Sequence, residues 1–91
     1  MTAKQNLFTL VINELLLTQE DLNLFTEPNV IHHKYCKQVV RTMNKKQFSL
    51  IKTCDTFPPN IRTVAQMQNI MIEFLEHTPQ FKREEYCVIY I

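Results

Sequence analysis

Ninety-one residues pass without a single glycine. That absence narrows what the chain can build before any other feature, because glycine takes positive φ and allows close backbone approach at little cost. Loops of the GxGxxG and GxxxxGK(S/T) kinds, which wrap backbone N–H groups around phosphates, cannot exist here. Nucleotide enzymes built on them are excluded. Alanine is also scarce, at Ala3 and Ala65, while Asn, Lys, Ile and Phe abound. Those abundant residues have AT-rich codons, so the composition points to an AT-biased genome such as that of a virus, phage or parasite. That inference concerns origin, not activity.

The length fits one small helical domain over residues 1–91, large enough to hold a modest single core. With 45% hydrophobic and 21% charged residues the chain has an ordinary globular composition. A formal net charge of +1 supplies no field that argues for nucleic acid or an acidic membrane. The apolar stretch "LFTLVINELLL" is interrupted by Asn13 and Glu14, and no small-residue cleavage site follows it. No run approaches the ~20 apolar residues of a membrane span, so no membrane partner is expected. Cys36, Cys54 and Cys87 are odd in number and widely spaced, a poor disulfide framework that fits a reducing compartment. The expected location is intracellular, in cytoplasm or nucleus.

Apolar spacing predicts a mainly α fold, a small bundle of four to five helices with a short C-terminal β-strand. From Lys4 to Leu17, Leu7, Phe8, Val11, Ile12, Leu15 and Leu16 recur at three and four positions, an amphipathic helical face. Thr18 and Asp21 predict a capped short helix that ends near Thr26. A third helix follows, with Thr26 as cap and Pro28 in the first turn. Its inner stripe is expected to be Ile31, Tyr35, Val39 and Met43, with Cys36 and Val40 beside it. "NKKQ" reads as a break, and "FSLIKTC" is ambiguous between a short helix and a buried strand, the spacing of Phe48, Ile51 and Cys54 or Asp55 favouring helix. "DTFPPN" is a loop. A long helix over 60–76 should turn Val64, Met67, Met71, Phe74 and Leu75 inward, with Ile61 near its start.

The ending differs in kind. "YCVIYI", residues 86–91, is β-branched and aromatic, the composition of a strand. One strand cannot satisfy its own backbone N–H and C=O groups, and no other segment is a clear partner. The reading drawn from this is a non-enzymatic adaptor or assembly subunit that docks on another protein or on a second copy of itself. It would use its helical surface and the strand residues Tyr86, Val88, Ile89, Tyr90 and Ile91 by strand addition. If instead the strand completes the protein's own core, truncation unfolds the domain.

Two other readings come from local clusters. In "HHKYC", His33 and Cys36 stand three apart on a helix and His32 and Cys36 four apart, so imidazole and thiolate can share a face as half of a zinc site. Cys54, His77 or Cys87 would complete a zinc-stabilised regulatory module. The same cluster as a nucleophile pair lacks an orienting group, and no catalytic residue is assigned. A helix-turn-helix-like nucleic-acid module would present Arg62, Gln66 and Asn69, with Lys34, Lys37, Arg41, Lys45 and Lys46 as a basic face. The ordinary reading of that face is a solvated helix surface.

Overall fold

The computed structural model describes residues 6–78. Within them lie α1 (Leu7–Glu14), α2 (Gln19–Leu24), α3 (Val30–Arg41), α4 (Lys45–Ile51) and α5 (Val64–His77), and no strand occurs among the described residues. The chain is mainly helical, as its periodicity predicts, and "FSLIKTC" is helical through Ile51. The strand expected at Tyr86, Val88, Ile89, Tyr90 and Ile91 lies outside the described residues.

Each helix starts on a side chain that answers amides with no helical acceptor. Asn6 accepts from the Phe8 N–H at 2.9 Å, and Asn29 accepts from the His32 N–H at 3.2 Å. The reciprocal pairs Thr18 with Asp21, Asn44 with Gln47 and Thr63 with Gln66 form capping boxes on α2, α4 and α5. These caps correct three expected boundaries. Asn44 makes "NKKQ" the first turn of α4 instead of a break. Thr63 delays α5 past Asn60, leaving the buried Ile61 ahead of the helix. Asn29, not Thr26, caps α3, so Pro28 precedes the helix; Thr26 instead closes a turn, its carbonyl accepting from the Asn29 N–H at 3.1 Å.

Helix ends show what a glycine-free chain must do instead. After α1 the Leu16 N–H donates to the Asn13 carbonyl at 3.1 Å and the Leu17 N–H to the Ile12 carbonyl at 3.0 Å. That paired pattern requires a left-handed residue, the place where glycine is usual. Here it is Leu16, at φ 59°, which ends α1 before the expected Leu17. Side chains from neighbouring helices take further orphan carbonyls, at this end and at that of α3. Gln47 Nε2 donates to the Glu14 carbonyl at 3.2 Å, and Gln68 Nε2 donates to the Arg41 carbonyl at 3.1 Å. Thr42 and Thr53 hydroxyls donate to the carbonyls three residues back, both at 2.6 Å.

α1 is buried on several sides, through Leu7, Thr9, Leu10, Val11 and Ile12, as befits a helix that is apolar nearly all round. Phe8 stacks on Phe74 with ring centroids 4.0 Å apart. α5 contributes Met67, Met71, Ile72, Phe74 and Leu75 to the same core, and α4 contributes Phe48 and Ile51. α3 packs between α2 and α5. Its rotation contradicts the expected inner stripe at Ile31, 86% exposed, and Tyr35, 50% exposed, while Met43 is buried as expected and Cys36 and Val40, expected beside the stripe, are fully buried. Val39 is half-buried at the border.

The left-handed leucine gives a direct test. Replacing Leu16 with glycine removes a steric cost of about 1–2 kcal/mol and adds an unfolded-state entropy cost of about 0.5–1 kcal/mol. Leu16→Gly is expected to raise stability by roughly 0.5–1 kcal/mol in urea unfolding. A lowered midpoint would contradict the strain assigned to this residue.

Candidate functional site

α3 carries the chain's two adjacent histidines, and its rotation decides what they can do. Successive helical residues point about 100° apart, so neighbours diverge. His32 reaches α2, its Nε2 lying 3.3 Å from Asp21 Oδ1 without forming a hydrogen bond. His33 reaches the other way, its Nε2 3.7 Å from Glu76 Oε2 on α5 and its ring 4.2 Å from that of Phe25. Both carboxylates have further work. Asp21 Oδ2 accepts from the Thr18 N–H at 2.9 Å. Glu76 Oε2 accepts from Lys37 Nζ at 3.0 Å. The lysine hydrogen bond is the main reason the Glu76 carboxyl is held below its ordinary value, against a smaller opposing push from burial.

Among the described residues the zinc candidates do not converge. Cys36 is buried, with its Sγ directed at the Asp21 carbonyl at 3.7 Å, while the two imidazoles turn toward opposite neighbours. Cys54 is buried elsewhere, 3.3 Å from Thr56 Oγ1. Among the described residues no group of three His, Cys, Asp or Glu side chains gathers in a way that holds a metal ion. Cys87 lies outside the described residues.

Of the helix-turn-helix candidates, Gln66 is committed to structure. Its Oε1 accepts from the Arg62 and Thr63 N–H groups at 2.6 and 3.0 Å. Arg62 and Asn69 are exposed. In the basic set, Lys37 is paired with Glu76, and Lys34, Arg41, Lys45 and Lys46 are exposed. No helix among the described residues is long and apolar enough to cross a membrane.

What the periodicity places inside and the structure places outside is the more informative set. Ile31 and Tyr35 stand one turn apart on α3 and, with Asp21, Asn29 and His32, line an open depression of about 550 Å³. The Tyr35 ring leans on the His32 ring, centroids 5.4 Å apart. Beside this apolar strip runs a second, polar one, made of Lys34, Gln38 and Arg41, all exposed. The spacing of Ile31 and Tyr35 was legible as an apolar stripe; nothing within α3 marks it as the outer one. Comparisons with protein-family models, curated proteins and solved structures find no match.

The Lys37–Glu76 pair gives the α3–α5 contact a small acid dependence. A carboxyl held low contributes stability above its ordinary value of 4.5, and that contribution is lost as pH falls through the lower folded-state value. The site is partly solvated, so the effect is below about 1 kcal/mol. Glu76→Gln is expected to flatten the fall in unfolding free energy below about pH 5 relative to the parent. Parallel acid profiles for the two proteins would contradict the assignment.

Proposed function

We propose that this protein is a non-enzymatic binding subunit that docks another protein on the outer face of α3. The observation that carries the reading is the exposure of Ile31 and Tyr35 at one-turn spacing on a helix. Two large apolar side chains on one face, at helical spacing, are the form of anchor that a groove or a second helix recognises. Isolated exposed apolar residues need no explanation. A paired set bordering a depression, with one ring supported by His32, is a patch of the kind that marks an interaction surface.

The apolar ending "YCVIYI" is read from its sequence as a second docking element that adds a strand to a partner sheet. The charges of "KREE" before it act as gatekeepers against unwanted pairing.

Selection of helical peptides from a display library on the purified full chain tests the reading. The α3 face is expected to enrich binders that are lost on Ile31→Lys/Tyr35→Lys, while the double variant keeps an unfolding midpoint within about 0.5 kcal/mol of the parent, as surface changes do. Binders indifferent to both substitutions would place the interface elsewhere. A large loss of stability would place the two side chains in the core. For the tail, truncation after Glu85 is expected to reduce association and retain the helical circular dichroism; an unfolded product would mean that the strand belongs to the protein's own core.

A further inference from the structure

The arrangement of charge on α3 narrows the chemistry of what it binds, given the reading of that helix as a protein-binding face. The sequence of α3, VIHHKYCKQVVR, contains no carboxylate. Of the acids that approach it from its neighbours, Asp21 accepts from the Thr18 N–H through Oδ2 and lies beside His32, and Glu76 accepts from Lys37 Nζ. Lys34 and Arg41 are left exposed on the outer face with no ion pair among the described residues. They stand seven residues apart, two helical turns, and so form a strip along the helix next to the Ile31 and Tyr35 strip, with the exposed Gln38 between.

We infer that this face receives an acidic amphipathic helix from a partner protein. Apolar residues of the partner at i and i+4 rest on Ile31 and Tyr35, and Asp or Glu residues along its flank lie over Lys34 and Arg41. α3 has 12 residues, about 18 Å at 1.5 Å per residue, which accommodates roughly three turns of a partner helix. Two other occupants fit the charges less well. A second copy paired antiparallel through α3 about Tyr35 sets the two Lys34 side chains near one another, and no α3 carboxylate answers them. A nucleic acid would use Lys34 and Arg41 for phosphates but would leave the largely exposed Ile31 without a purpose.

The library selection separates these occupants when it is repeated on Lys34→Glu/Arg41→Glu. The parent is expected to enrich sequences with apolar residues at i, i+4 flanked by Asp or Glu, binding that weakens as salt approaches roughly 0.3 M. The charge-reversed variant should bind those peptides at least about tenfold more weakly and select Lys- or Arg-flanked ones instead. Enriched peptides with no excess of acid, or the same peptides selected by both proteins, overturn the acidic partner while leaving the α3 face intact. Binders unaffected by Ile31→Lys/Tyr35→Lys overturn both. A dimer in sedimentation that Ile31→Lys dissolves would assign the face to a second copy. A labelled DNA duplex whose binding is lost on charge reversal and unchanged by Ile31→Lys would assign it to nucleic acid.

Discussion

α3 is held in one rotational setting by groups on both sides of it, and the character of the surface follows from that setting. Cys36 and Val40 are fully buried between α2 and α5, and burying a valine such as Val40 is worth roughly 1.5–3 kcal/mol. His32 faces Asp21 on one side, and His33 and Lys37 face Glu76 on the other. Turning the helix by one residue to bury Ile31 and Tyr35 would pull Cys36 and Val40 out of the core. It would also swing the histidine and lysine heads away from their carboxylates. The apolar pair therefore stays in solvent as a consequence of what the opposite face must do.

The missing glycines impose a second constraint, on how the helices end. Without a residue that takes positive φ freely, the end of α1 is closed by a leucine in the left-handed region and by Gln47 from α4, and the end of α3 recruits Gln68 from α5. Each glutamine thus satisfies a carbonyl and links two elements. Gln68 joins α5 to the end of α3, and Gln47 joins α4 to the end of α1 while its Oε1 accepts from the Asn44 N–H to cap its own helix. A local deficiency in turn chemistry becomes a source of tertiary connection. The same deficiency keeps phosphate-cradling loops out of the repertoire.

Much of this was legible in the residues. α1, α4 and α5 follow from apolar spacing, and Phe48, Ile51, Met67, Met71 and Leu75 are buried where the periodicity puts them. Helix starts were less legible, because Asn29 and Asn44 cap as well as Thr does and spacing alone does not rank them. The rotation of α3 was not legible at all from its own sequence. Ile31, Tyr35, Val39 and Met43 form one apolar stripe, and Cys36 with Val40 forms another about 100° away. Periodicity identifies both; Asp21, Phe25 and Glu76, on other helices, choose between them. The paired histidines diverge for a related reason: adjacent helical residues point at different neighbours, His32 toward Asp21 and His33 toward Glu76.

The binding face depends on Ile31 standing in solvent while the isoleucines of the core do not. Methyl-labelled NMR with a soluble paramagnetic agent measures this without altering the protein. The Ile31 methyl signal should broaden strongly, whereas those of Ile12, Ile51 and Ile61, each at most 4% exposed, should remain sharp. An Ile31 methyl as protected as that of Ile51 would contradict the rotation of α3 and, with it, the binding face.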